Sequence, residues 1–185
     1  SLRPDGLKRM FFFPGFGQGT GGLLREADLL ARRRAFDQSP QAKQAFLQGL
    51  GVYAAENARL ISLFAYENSG LASWLDAMAA SLEPTHLLVP QGRIMGDLLR
   101  WLGMEALAPG AVEQRGSLVV QALPFVRQQD YDTLLWCCDF NAVRGEDSFV
   151  RAQWAGRPFL WHIYEQEENA HWDKLNAFLA LYVKD

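Results

Sequence analysis

Five consecutive residues, Arg144, Gly145, Glu146, Asp147 and Ser148, set a cation, a flexible glycine, two acids and a hydroxyl just ahead of a segment that reads as a helix. A helix N-terminus offers unpaired amides and the positive end of a dipole, and an arginine beside it completes a cradle for a diphosphate. Two bare carboxylates would repel that anion. The cost falls if one accepts hydroxyl donors while the other caps amides, and a nucleotide-sugar, with a dianionic diphosphate and a ring of hydroxyls, fits this arrangement better than a bare nucleotide does. Plain capping of the helix by Glu146, Asp147 and Ser148 is the competing reading, and it leaves Arg144 unexplained. Aromatic residues stand at comparable positions elsewhere: Phe64 and Tyr66 in "LFAYEN" and Phe125 in "LPFVRQ". A ring at a strand's end can stack on a nucleobase, and Gln128 can read its amide edge; for Phe64 core packing is the default.

Other chemistry-bearing patterns are weaker. Gly17, Gly19 and Gly22 in "PGFGQGTGG" satisfy a dinucleotide fingerprint if a strand precedes them. The expected second, acid-bearing strand is replaced by a second helix, "QAKQAFLQGL", which argues against a nicotinamide or flavin cofactor. Asp130 and Asp132 form a D-x-D of the kind that holds a divalent ion in some glycosyltransferases, but they open a helix, where acids serve as caps. His86, His162 and His171 have no metal-ligand spacing, so no metal is expected; His86 reads as a strand residue and His171 as a helix-surface one. Cys137 and Cys138 are adjacent and form neither a disulfide framework nor a redox pair, which points to the reducing cytoplasm.

The elements that must position these groups alternate between strand-like and helix-like runs. Strands are expected at Lys8–Phe13, Leu60–Tyr66, His86–Pro90, Ser117–Ala122, Phe140–Val143 and Pro158–Ile163. Helices are expected at Leu23–Phe36, Gln41–Leu50, Leu71–Leu82, Ile94–Leu102, Asp130–Cys138, Asp147–Ala155 and Asn169–Val183. In the third helix Leu71, Trp74, Leu75 and Met78 share one face. The strands are continuous apolar runs, as when a sheet is covered on both sides. The pattern predicts one α/β domain with a doubly wound, mostly parallel sheet, whose ligand site lies at the carboxyl ends of the strands. With 185 residues, 49% of them apolar, the chain can bury one substantial core. A net charge of −3 without a basic stripe excludes a nucleic-acid surface, and the longest apolar runs are too short to span a bilayer. The chain begins at Ser1 and stops within a helical pattern, as a fragment or isolated domain would.

In order along nearly the whole chain, "FFFPGF", "TGGLLRE", "SLFAYEN", "HLLVPQGR", "GDLLRWLG", "LPFVRQQDYD" and "VRGEDSFVRAQWAGRPFLWHIY" resemble the bacterial protein-arginine rhamnosyltransferases of translation elongation factor P. The resemblance implies a Rossmann-like C-terminal domain of a two-domain GT-B glycosyltransferase. It implies an inverting transfer of rhamnose from dTDP-β-L-rhamnose to an arginine side chain of the factor, with no cofactor. An absent N-terminal half would carry the general-base aspartate and much of the acceptor surface. Phe64, Tyr66, Phe125, Gln128, Arg144, Glu146, Asp147 and Ser148 match the family's donor positions, and Glu146 is the one expected to support catalysis. Two departures stand out: "PGFGQGTGG" where the family pattern reads "PGFTEKTGG", and Ala142 where a larger apolar residue is usual. A non-catalytic nucleotide-binding or protein-interaction module with a Rossmann-like fold is the reading from another class; dTDP binding favours the transferase, NAD binding overturns it.

Overall fold

The computed structural model describes residue 10 and residues 12–164 and 170–183. The elements run α1 (Leu29–Asp37), α2 (Pro40–Gly49), β1 (Arg59–Leu63), α3 (Leu71–Ala79), β2 (Thr85–Val89), α4 (Met95–Leu102), β3 (Val112–Arg115), β4 (Leu118–Ala122), α5 (Gln128–Cys137), β5 (Phe140–Arg144), α6 (Asp147–Ala155), β6 (Phe159–His162) and α7 (Ala170–Tyr182). The six strands form one sheet in the order β3-β4-β2-β1-β5-β6, parallel throughout except for β3, which pairs antiparallel with β4. The doubly wound α/β architecture read from the sequence is the one observed.

Both faces of the sheet are covered, so the strands are apolar in runs rather than in alternation. Successive residues of β2 point to opposite faces: Leu87 and Val89 join Leu63, Leu75, Leu98 and Val120 beneath α3 and α4. Leu88 faces the other way, packing with Leu47, Leu60, Leu123 and Leu134 beneath α2 and α5. Below α1 and α6, Leu29, Leu135, Val143 and Ala152 continue that second layer. Buried polar groups are paired across strands: Ser62 donates to Asn141 Oδ1 at 2.6 Å, and His86 Nε2 lies 2.9 Å from Gln121 Oε1. Burial lowers the His86 pKa, with the Gln121 hydrogen bond opposing.

Several expectations are corrected. The strand at Lys8–Phe13 falls partly outside the described residues, and Met10, Phe12 and Phe13 belong to no strand. The first helix begins at Leu29, since residues 23–26 run irregularly and are held by tertiary bonds described below. The edge strand β3 has the sequence "VEQR" and a largely exposed surface, so it carries no hydrophobic signal; its only cue is Gly116, in a left-handed turn (φ 55°) before β4. His171 is buried on α7 rather than on its surface. The loop 15–22 closes on itself, with Gly15 N donating to Gly22 O and Gly21 N to Phe13 O, and no described strand precedes it, so the dinucleotide fingerprint has no structural context. No helix among the described residues is long and apolar enough to cross a membrane.

Candidate functional site

The chain leaves β4 and crosses back over β2 and β1 to reach β5, so strand order reverses between β1 and β5. In such sheets the crevice at that reversal, beyond the carboxyl ends of the strands, receives ligands. Leu63 pairs in register with Ala142, and Phe64 N still donates to Ala142 O at 2.9 Å. Continuing both chains by two residues brings Phe64–Tyr66 alongside Arg144 and Gly145. Gly145 takes φ 63°, the left-handed turn through which β5 passes directly into α6, and a Cβ there would lie 3.2 Å from the Tyr66 hydroxyl. Trp161 of β6 fixes the turn by donating from Nε1 to Gly145 O at 2.7 Å, and its ring stacks on Phe149 of α6 at 3.8 Å.

An open cleft of about 400 Å³ forms at this point, and all eight residues singled out in the sequence line it: Phe64, Tyr66, Phe125, Gln128, Arg144, Glu146, Asp147 and Ser148. Arg144 is its centre. The guanidinium carbon sits 4.2 Å from the Phe64 ring centroid and 5.0 Å from that of Tyr66, while Nη1 is buried and has no hydrogen-bond partner among the described residues. The Phe64 ring thus forms a shelf beneath the cation while still lining the cleft. Phe125 is different, with a ring 82% exposed on the β4–α5 loop and free to stack on a planar ligand. Gln128 opens α5 beside it.

The capping interpretation of the R-G-E-D-S run fails on geometry. Glu146 occupies the N-cap position of α6 and makes no side-chain cap bond; its carboxylate takes Lys174 Nζ of α7 at 2.8 Å. Ser148 turns its hydroxyl back to the Arg144 carbonyl. The first-turn amides of α6 thus have no side-chain cap from Glu146, next to a guanidinium that also lacks a full set of partners. Asp130 and Asp132 do not cap α5 either: Asp130 receives Arg127 Nε at 2.6 Å, and the buried Asp132 faces Arg151 Nε at 3.4 Å, its pKa raised by burial. Among the described residues no three of His, Cys, Asp and Glu converge on a metal-sized position. Cys137 and Cys138 are buried free thiols, and burial pushes both up, Cys137 to about 12, so neither is a nucleophile.

Sequence reasoning missed several residues here. Pro90, Gln91 and Tyr131 also line the cleft, and burial pushes the Tyr131 phenol up, with the Ser148 hydroxyl opposing. Tyr131 lies within "QQDYD", where only the acids drew notice. Arg93 and Asp97 brace the loop that carries Tyr66: Arg93 Nε bonds Glu67 at 3.0 Å with its guanidinium 5.5 Å from the Tyr66 ring, and Asp97 accepts from Asn68 N at 2.6 Å. On the opposite rim Arg151 of α6 grips Glu26 with two bonds of 2.6 and 2.7 Å, closing a neighbouring hollow that shares Gln128, Glu146 and Asp147 with the cleft.

The Arg151 hydrogen bonds pull the Glu26 carboxyl down from 4.5 to about 2. With the folded-state value below the unfolded one, this pair's stabilisation is whole above pH 4.5 and is lost as pH falls towards 2. The Glu26 side chain is half exposed, so solvent screening keeps the contribution small. Glu26→Gln is expected to flatten the fall of melting temperature with acid in that window. Parallel curves for the two proteins would show that Glu26 does not sense pH in the fold.

Fold and cleft together define a doubly wound α/β domain with an open cleft, a cation and an uncapped helix end at its switch point. The chain belongs to the family described as Elongation-Factor P (EF-P) rhamnosyltransferase EarP, which it matches over residues 1–185. A Pseudomonas putida protein named protein-arginine rhamnosyltransferase is 65% identical over 182 residues, covering 98% of this chain and 48% of the relative. Its Pseudomonas aeruginosa namesake is 59% identical with the same coverage. A solved structure, described as the structural basis for EarP-mediated arginine glycosylation of translation elongation factor EF-P, superposes with a TM-score of 0.85 at 62% identity, over 93% of this chain and 54% of that one. The chain spans about half the length of the curated relatives it matches.

Proposed function

We propose that this chain is the donor-binding, C-terminal half of a GT-B glycosyltransferase of the cytoplasm. The enzyme transfers rhamnose, with inversion, from dTDP-β-L-rhamnose to an arginine side chain of translation elongation factor P. The observation that carries the proposal is Arg144: a guanidinium on an aromatic shelf, with a buried nitrogen lacking a partner, at the switch point and beside uncapped helix amides. The half-buried Arg144 guanidinium faces the cleft over the Phe64 and Tyr66 rings, and a diphosphate is the anion that matches its planar fork. Phe125 supplies a face for thymine and Gln128 an amide for its edge; Asp147 and Ser148 flank the diphosphate end, and Glu146 lies where sugar hydroxyls would reach it.

In this scheme the chain's own residues do electrostatic work. Negative charge grows on the leaving dTDP as the anomeric carbon becomes positive, and Arg144 with the α6 amides stabilises it. That pairing also makes a divalent ion unnecessary to the proposal. The acceptor guanidinium, protonated with a pKa above about 12, must be oriented and relieved of a proton by a carboxylate. We place that base outside this chain and give Glu146 a supporting role. Calorimetry with dTDP and with NAD tests the reading: dTDP is expected to bind and NAD not to, and the reverse would replace the transferase by a dinucleotide-binding module.

A further inference from the structure

Among the described residues that line the cleft, the charges favour a cation over an anion: Arg144 faces two carboxylates, Glu146 and Asp147. Arg93, Arg127 and Arg151 do not offset this, because they are paired with Glu67, Asp130 and Glu26. Lys174 does. Its Nζ lies 2.8 Å from Glu146 Oε1, and the pair offsets one of the two carboxylates.

Its placement follows from the packing of α7. Phe178, one turn further on and on the same helix face, seats edge-on against Phe149 at 4.8 Å, with Trp161 and Phe16 at 6.2 and 5.7 Å. Phe149 in turn stands one turn after Glu146 on α6. The aromatic seat at Phe178 therefore brings Lys174 against the start of α6. Both partners of the ion pair are exposed, 43% and 76% by side chain, and an exposed pair adds little to the stability of the fold. Its consequence is electrostatic and lies in the cleft.

We infer that Lys174 is a charge-compensating residue of the donor site: it holds and neutralises Glu146, so that an anionic diphosphate can approach the N-terminus of α6. The inference rests on the donor-site reading given above. It differs from a direct contact, since the lysine acts in part through Glu146: its own field persists in any background, but its hold on the carboxylate matters only while that carboxylate is present. A second consequence is that α7, through Phe178, sets the charge at the mouth of the site.

Titration calorimetry of dTDP at low salt, on wild-type chain, Lys174→Ala, Lys174→Arg, Glu146→Gln and the double variant Glu146→Gln/Lys174→Ala, tests this. Lys174→Ala is expected to weaken binding about three- to tenfold, the scale of one unscreened charge a few ångströms from the ligand. Lys174→Arg is expected to retain affinity. In the Glu146→Gln background the alanine substitution is expected to cost clearly less than in the wild type, since the lysine's own field is lost in both but a carboxylate is released only in the wild type. Unchanged binding in Lys174→Ala overturns the inference, and so does an equal loss in both backgrounds, which would show that the lysine acts by its own charge or contact and not through Glu146. Wild-type chain that ignores dTDP sinks the donor-site reading and this inference together, whereas wild-type binding with an indifferent Lys174 sinks the inference alone. Thermal melts of each variant confirm that the fold is unchanged.

Discussion

Arg144→Ala is expected to weaken dTDP binding by ~1.5–3 kcal/mol, the scale of charge-assisted hydrogen bonds, or about ten- to more than a hundredfold in affinity. Two features of the fold make the loss large and diagnostic. The guanidinium is pre-placed by the Phe64 and Tyr66 rings, so little side-chain entropy remains to be lost when an anion arrives. Its buried Nη1 has no partner among the described residues, so removing it relieves an unpaired donor rather than breaking a bond of the fold. The melting temperature of the variant is thus expected to stay near that of the wild type while affinity collapses. Arg144→Lys is not expected to rescue, because an ammonium offers neither the planar fork nor the stacking face that the aromatic shelf is built for. Unchanged affinity in calorimetry, or a large fall in melting temperature, would make Arg144 a structural residue.

Much of this site was legible in the sequence because its residues sit at fixed offsets from strand ends. Phe64 and Tyr66 follow β1, Phe125 and Gln128 follow β4, and Arg144–Ser148 join β5 to α6, so a parallel sheet with the right strand order had to bring them to one crevice. The bounds of α6 were readable for a related reason: Gly145 breaks the strand before it and Gly156 ends the helix in a left-handed cap. What was not legible came from long-range partners. Residues 23–26 have helix-forming side chains, yet two bonds from Arg151, more than a hundred residues away, and one from Trp154 to the Leu24 carbonyl hold them out of α1. Lys174 reads as an ordinary surface lysine until Phe178 seats α7 on Phe149. Glu146, Asp147 and Ser148 look like caps from composition alone; only coordinates show that Glu146 is turned to a lysine and Ser148 to a carbonyl. The contact of Phe64 with Arg144, whose guanidinium it shelves, was likewise invisible in the sequence.

Incubated with dTDP-rhamnose and elongation factor P, the 185-residue chain is expected to bind the donor and leave the factor unmodified. Contacts to nucleoside, diphosphate and sugar can all come from the cleft described here, because Phe125, Gln128, Arg144 and the start of α6 converge on it. Transfer asks for more. The acceptor arginine must be held in line with the anomeric carbon, and loss of that positioning alone can add ~7–11 kcal/mol to the barrier. A general base contributes a further factor of about a hundred to ten thousand. Of the cleft's own carboxylates, Glu146 is committed to Lys174 and Asp147 stands in the first turn of α6, next to where the diphosphate would lie rather than where an acceptor would approach from the open side. The relatives named as rhamnosyltransferases are about twice as long as this chain, and we assign the acceptor surface and base to the part of them that it does not match. Mass spectrometry of the factor after incubation decides the matter. A rhamnose adduct that depends on the chain would show that these residues alone make a complete active site, and the base would then have to be sought at Glu146 or Asp147.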